Sequence, residues 1–291
     1  MIKLERAIDG RFSKKFWGAG KKKAELDLLK RQRKFLRGEI KPKKRFKSSF
    51  WKSAKNRLKK ESNEKCAYCE TRFSVTGFGD VEHYRPKSIY WWLAYSYNNY
   101  AVSCQVCNQS FKRNRFPILG NRLAEPQVTA QSTDDELDDL SGKLDIDLKD
   151  ISDIDLNTFV FSHEAEDPLI FHPYYDEAKD SYAYKISVSK KEIEIIPAND
   201  SAKLLVENAE ECLGINRPEI KEMRFLHSIP YWQNKRFLEG TLLPSQVKEC
   251  QEFIDVFVSG TLQYTGMYRF FEHNPPNPLP VIPARMLMPQ Q

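Results

Sequence analysis

Cys66-Ala-Tyr-Cys69 and Cys104-Gln-Val-Cys107 are two Cys-x-x-Cys pairs that enclose 34 residues of this chain. The two-residue gap lets both sulfurs of a pair face one ion, and four thiolates in two such turns are the usual ligands of tetrahedral zinc. A redox function would explain one pair but not the second. We therefore expect these four cysteines to form a closed structural zinc site that stabilises the fold and takes no part in chemistry.

A central module is expected around this zinc site. The string Gly79-Asp-Val-Glu82-His83-Tyr-Arg85-Pro-Lys87 follows the first cysteine pair and predicts a strand over Val81–Tyr84. A second strand is expected over Tyr100–Cys104, and a short helix over Val106–Arg115, ended by the proline that follows.

Polar residues of this module have the types that metal-dependent hydrolysis uses. Glu82 offers a hard oxygen ligand for a divalent cation, and His83, with an unperturbed pKa of about 6.5, suits a general base at neutral pH. Asn99 could accept the ring N–H of His83, and Asn108 could offer a second oxygen to the metal. Lys112, one helical turn after Asn108, could contact phosphate. Each residue alone has an ordinary structural explanation; only their joint placement is specific.

Charge is distributed unevenly along the chain. The net charge is +6 over 291 residues, but residues 1–65 carry 24 Lys or Arg against 7 Asp or Glu, and the remainder has an excess of acidic residues. Such a basic segment is typical of proteins that bind a polyanion, and we expect contact with nucleic acid; a solvated helical surface is the alternative. The candidate nucleic-acid contacts are Lys52, Lys55, Lys59, Lys60, Arg85 and Lys87.

Composition and patterning favour an α+β protein that is mainly helical. We expect a basic helical arm (1–65), the central module (66–120), an acidic linker or insertion (121–165), a mostly helical region (166–274) and a Pro-rich tail (275–291). Further elements are predicted at Ala24–Arg37, Phe50–Lys60, Tyr182–Val188, Ser201–Leu213, Pro218–Gly240 and Ser245–Val258.

Two absences limit the class of protein. The first residues have no apolar signal core, and the longest apolar run, about Ile89–Tyr95, is too short to span a membrane. We therefore expect a soluble cytoplasmic protein whose thiols stay reduced, with this aromatic run packed in the core.

At these residues the sequence resembles the HNH endonuclease superfamily, whose ββα-metal core is two strands and a helix around one divalent metal. The resemblance implies that His83 is the base that activates water, that Asn99 orients it, and that Glu82 and Asn108 are metal ligands. Lys112 would bind phosphate. Because Glu82 and Asn108 both offer oxygen, magnesium or manganese is favoured over zinc at the catalytic site.

The resemblance extends to one family, the HNH subunits (PtuB) of Septu anti-phage systems, also found in some retron operons. It is carried by Val-Glu-His-Tyr-Arg-Pro-Lys, Tyr-Trp-Trp-Leu-Ala-Tyr, Ser-Cys-Gln-Val-Cys-Asn and, more loosely, Cys212-Leu-Gly-Ile-Asn-Arg217. It implies a bacterial host, a partner ATPase of ABC/SMC-like type (PtuA), and in some systems a retron reverse transcriptase complex. DNA is the favoured substrate, and tRNA stays open. The alternative function is a zinc-ribbon module that binds nucleic acid without catalysis.

Overall fold

Two antiparallel β-hairpins, each packed against helices, form the sheets of the protein, so the expected α+β class is confirmed. The computed structural model describes residues 1–7, 14–73, 77, 79–144 and 162–283. In the first hairpin β1 (Asp80–His83) pairs with β2 (Tyr100–Ser103), and Glu82 lies opposite Ala101. The second hairpin joins β3 (Tyr182–Ser187) to β4 (Glu192–Pro197).

Helices account for most of the remaining regular structure among the described residues. They include α1 (Gly18–Leu36), α2 (Ser48–Lys52), α3 (Lys55–Glu61), α4 (Asp134–Leu140), α5 (Lys203–Leu213), α6 (Pro218–Leu238), α7 (Pro244–Val258) and α8 (Thr265–His273). A π-helix, Val106–Lys112, follows β2. None of the helices in the described ranges combines the length and apolar character that crossing a bilayer requires.

The basic N-terminal segment differs from the prediction in two places. The helix predicted from Ala24 begins six residues earlier, at Gly18, and ends as expected before Gly38, whose φ of +72° suits glycine. The helix predicted over Phe50–Lys60 is instead two helices, α2 and α3, separated at Ser53 and Ala54. Its apolar face is nevertheless buried, since Ala54 and Leu58 are 2% and 0% exposed.

The helix predicted over Val106–Arg115 is shorter than expected and is a π-helix. The N–H of Arg113 donates to the carbonyl of Asn108, five residues back, at 2.8 Å. Arg113 has a φ of +49°, which ends the helix four residues before Pro117. The helix therefore stops at its own left-handed residue, not at the proline.

The acidic segment contains a helix that packs against the basic arm. The N-cap residue of α4, Thr133, forms a capping box with Glu136, and Leu137 is fully buried. One side of α1 faces this helix, because Lys22 pairs with Asp138 at 3.0 Å and Arg33 with Asp134 at 2.6 Å. Part of the cationic surface of the arm is thus neutralised within the chain. The rest of the acidic run, from residue 145, lies outside the described residues, as does the tail beyond 283.

The region after residue 166 follows the predicted helices closely, with one missed strand and one missed helix, α8. Strand β4 was not predicted. The helix predicted from Ser201 is a 3₁₀ turn, Asp200–Ala202, followed by α5, and its cap is Asn199, whose side-chain oxygen accepts the Ala202 N–H. The run Ile89–Tyr95 lies in the core as expected, with the residues from Tyr90 onward 6% exposed or less.

Candidate zinc and nuclease site

The four cysteines of the two pairs come together in the fold. Their sulfur atoms all lie within 4.8 Å of one another, and Cys66, Cys69 and Cys107 are buried. The first pair is fixed to the hairpin, because the N–H of Ala67 donates to the Val102 carbonyl at 2.9 Å. Burial raises the pKa of the Cys66 thiol, a cost that a bound dication would remove. The donor set and its spacing fit a structural zinc ion.

Arg217 lies beside this cluster, and this contact was not predicted from the sequence. Its Nη1 is 3.5 Å from the sulfur of Cys107 and its Nη2 is 3.8 Å from that of Cys69, so the guanidinium contacts one cysteine of each pair. Burial opposes its charge, but the neighbouring thiols raise the pKa of Arg217 above its usual value. Zinc with four thiolates carries a net charge of about −2, which this cation would partly offset.

Gly214 brings Arg217 to the cluster. This residue ends α5 with a φ of +58°, and a Cβ there would lie 2.5 Å from the ring of Phe111 on the π-helix. Only glycine therefore allows this close approach between the α5–α6 turn and the second cysteine pair.

Arg217→Gln should weaken zinc binding by about tenfold to a hundredfold, the usual effect of removing a residue that supports metal ligands. Arg217→Lys keeps the charge but cannot reach both sulfurs, so an intermediate loss is expected. Zinc transfer to a chromogenic chelator at equilibrium measures the effect. The exposed Arg236 on α6 provides a matched control, Arg236→Gln. Equal zinc affinity in Arg217→Gln and wild type would contradict this structural role.

His83 ends β1 and its ring is enclosed by aromatic side chains. The ring packs edge-on against Trp51 and Tyr100, at centroid distances of 5.0 and 5.1 Å. Its Nε2 lies 3.2 Å from the carbonyl oxygen of Ala94. Because a carbonyl only accepts, Nε2 carries the proton and Nδ1 keeps its lone pair. Burial lowers the pKa of His83 to about 3, far from the unperturbed value expected, so the ring is neutral at neutral pH.

The position of Asn99 corrects the prediction for this residue. Its Oδ1 accepts the N–H of Arg85 at 2.7 Å, and its Nδ2 donates to the Arg85 carbonyl at 2.9 Å. The amide oxygen therefore does not accept the His83 ring N–H, a role taken by the Ala94 carbonyl. Asn99 instead clamps the backbone two residues after His83 and so fixes the end of β1.

Lys112 is not placed to bind phosphate as predicted. It is fully buried, its Nζ lies 2.5 Å from Oε1 of Glu82, and it also donates to the His83 carbonyl at 3.0 Å. The ammonium has to neutralise Glu82, since an unpaired charge at this depth would be costly. Burial raises the pKa of Glu82, and Lys112 opposes this shift.

Glu82 and the nearby Tyr68 offer oxygen atoms of the kind that a hydrated divalent ion binds. The hydroxyls of Tyr68 and Ser103 are buried and make no hydrogen bond with any described residue, whereas Oε1 of Glu82 is paired with the ammonium of Lys112. Burial raises the pKa of the Tyr68 phenol, and the nearby carboxylate of Glu82 raises it further. Asn108 is partly buried on the π-helix, one turn before Lys112. Oxygen donors of these kinds suit magnesium or manganese.

The predicted nucleic-acid contacts differ in how accessible they are. Arg85 is 2% exposed and its guanidinium is paired with the buried Glu166 at 2.5 Å, so it cannot reach a ligand on the surface. Lys59 is paired with Glu64 at 2.7 Å. Lys87 is partly exposed beside Trp51. Lys55 is partly buried, whereas Lys52 and Lys60 are exposed.

Comparison with known proteins finds similarity to proteins named as PtuB and as a retron HNH endonuclease. The "Septu protein PtuB" of Bacillus mycoides (strain KBAB4) is 46% identical over 89 residues, which cover 25% of this chain and 30% of the relative. A candidate HNH endonuclease of retron Vc95 from Vibrio cholerae serotype O1 biovar El Tor is 40% identical over 73 residues, covering 22% and 35%.

A second "Septu protein PtuB", from Bacillus thuringiensis, is 29% identical over 102 residues, covering 32% of this chain and 39% of that protein. The chain thus matches about a third of the length of these curated relatives. No protein-family model and no solved structure matches the chain. The resemblance to PtuB-like HNH nucleases is confirmed over the matched part of the chain.

Proposed function

We propose that this protein is a metal-dependent HNH endonuclease that hydrolyses phosphodiester bonds of nucleic acid. The observation that carries the proposal is the neutral His83, whose Nδ1 keeps its lone pair and which follows Glu82 on β1. Both residues lie on a hairpin that packs with the four-cysteine cluster. The similarity to PtuB and to the retron protein supports the same function.

His83 would take the proton of the attacking water through Nδ1. Because the pKa of the ring is lowered by burial first and by Lys87 next, a phosphate drawn near these groups would make the ring more basic. Glu82 and Asn108 would hold the divalent ion, which would polarise the phosphate and stabilise the leaving oxygen. Asn99 would act through the backbone, by holding Arg85 and hence the end of β1.

Cleavage of plasmid DNA and of tRNA by the purified protein tests the proposal. We expect cleavage with magnesium or manganese, and none when a chelator removes those ions while the zinc stays bound. Assaying both substrates identifies which nucleic acid is cut. Binding to both substrates without any cleavage would contradict the proposal and favour the zinc-ribbon binding module.

We infer a biological setting from the relatives alone. Two of the similar proteins are named as Septu proteins and one as a retron protein. An effector nuclease of a bacterial anti-phage system, acting with a partner ATPase like PtuA, fits these names. Co-purification with an ATPase encoded beside it would test the partner.

The exposed lysines of the arm are proposed to supply affinity, not chemistry. Lys52→Gln with Lys60→Gln should weaken binding to all sequences alike and lower the slope of log affinity against log salt by up to about 0.9 per lysine. The cleavage rate at saturating substrate should be unchanged. Filter binding at several salt concentrations measures the slope, with the exposed Lys190→Gln and Lys248→Gln as a matched pair. An unchanged slope would show that these lysines do not contact phosphate.

A further inference from the structure

The charge of the Glu82 pocket is already balanced in the protein. The buried Lys112 neutralises Glu82, and its Nζ is held in place by the His83 carbonyl. A second ammonium, that of Lys87, lies near both groups. Burial lowers the pKa of Lys87, Glu82 raises it, and Lys112 lowers it. Asp80 adds one negative charge to the same surroundings. The pocket therefore offers a free divalent cation little net negative charge.

A divalent ion that binds Glu82 meets the ammonium of Lys112 at short range. At this burial, two cations that share one carboxylate repel each other strongly unless another anion enters. A phosphodiester supplies that anion, and magnesium in particular prefers one or two carboxylates together with substrate phosphate. The Tyr68 hydroxyl makes no hydrogen bond with a described residue. This hydroxyl and the other oxygen of the Glu82 carboxylate are polar groups that can complete the coordination of the ion.

We propose that Lys112 is a tethered counter-cation of Glu82, which makes tight binding of the divalent ion depend on the phosphodiester. This inference rests on the proposed function, because it concerns the same site. In the free protein Lys112 occupies Glu82 and the ion binds weakly. When nucleic acid enters, its phosphate adds negative charge, and the carboxylate serves the ion and the lysine together. The protein would then bind its metal tightly only when a substrate is present.

Manganese binding, followed by the electron spin resonance signal of the free ion, tests this coupling on the zinc-loaded protein. A phosphorothioate oligonucleotide that resists cleavage serves as the phosphodiester. Wild type should bind manganese at least tenfold more tightly with the oligonucleotide than without it. By linkage, manganese should strengthen oligonucleotide binding by the same factor. Equal manganese affinity with and without oligonucleotide would overturn the proposal.

Lys112→Met tests the role of the lysine itself. Without the ammonium, the free protein should bind manganese at least tenfold more tightly than wild type, and the oligonucleotide should add less. Lys221→Met, which removes a lysine paired with Glu192 at 3.0 Å on the surface, is the matched control and should bind manganese as wild type does. Unchanged manganese affinity in Lys112→Met would overturn the role given to Lys112. If this variant fails to fold, the wild-type comparison still decides.

Glu82→Gln separates failure of this inference from failure of the proposed function. If Glu82→Gln binds manganese as wild type does, the ion is not held by Glu82 and the metal assignment fails. If binding requires Glu82 but does not depend on Lys112 or on the oligonucleotide, only the present inference fails.

Discussion

His83→Ala is expected to lower the rate of cleavage by about a hundredfold to ten-thousandfold, the usual cost of removing a general base. The ring nitrogen that would accept the proton is Nδ1, since Nε2 faces the carbonyl of Ala94. Single-turnover cleavage at saturating substrate isolates the chemical step from binding. The rate should fall while the affinity for nucleic acid stays close to that of wild type.

Because His83 is buried between Trp51 and Tyr100, its removal also leaves a gap. Thermal melting and zinc content must therefore be measured on the same sample, and His83→Asn provides a smaller change of shape. The exposed His273→Ala is the control for loss of a histidine elsewhere. A folded, zinc-loaded His83→Ala protein that cleaves at the wild-type rate would exclude His83 as the base.

Cys104→Ser is expected to release the zinc and to unfold the centre of the protein, because the free energy of metal binding is part of the free energy of folding at such sites. The four sulfurs join the segment before β1 to the π-helix after β2, so the loss of one ligand loosens both ends of the hairpin. Elemental analysis measures zinc, and circular dichroism measures the melting temperature.

Cys250→Ser is the matched control for this experiment, since that thiol is half-buried on α7 and belongs to neither cysteine pair. It should keep one zinc ion per chain and melt close to wild type. Wild-type protein that is soluble and folded but contains no zinc would refute the assignment of the four cysteines.

The sequence predicts well what depends on short spacing. The cysteine pairs, the strand with Glu82 and His83, and the strand after Asn99 are local patterns, and the structure contains them. The prediction placed Lys112 correctly near Asn108 on one helix, but it wrongly expected the Lys112 side chain to be accessible to phosphate. Spacing along a helix gives the face on which a residue lies and says nothing about what covers that face.

Residues far apart in sequence account for most of what the prediction missed. Arg217 is 110 residues from Cys107, and Glu166, which neutralises Arg85, is 81 residues from its partner. The string Cys212-Leu-Gly-Ile-Asn-Arg217 was noted, but a string alone does not reveal which surface it contacts. The low pKa of His83 likewise depends on burial, which a single sequence does not give.

The contact between Trp51 and His83 has a practical consequence for anyone who wishes to transplant the module into another scaffold. The tryptophan belongs to α2, which precedes residue 66, and its indole forms one wall around the histidine ring. A fragment of residues 66–120 would keep every cysteine ligand and yet open that ring to bulk water. Its histidine would then regain a more ordinary basicity, although the Ala94 carbonyl and Tyr100 would still contact the ring. A graft that is meant to retain this environment has to carry the α2 segment with it.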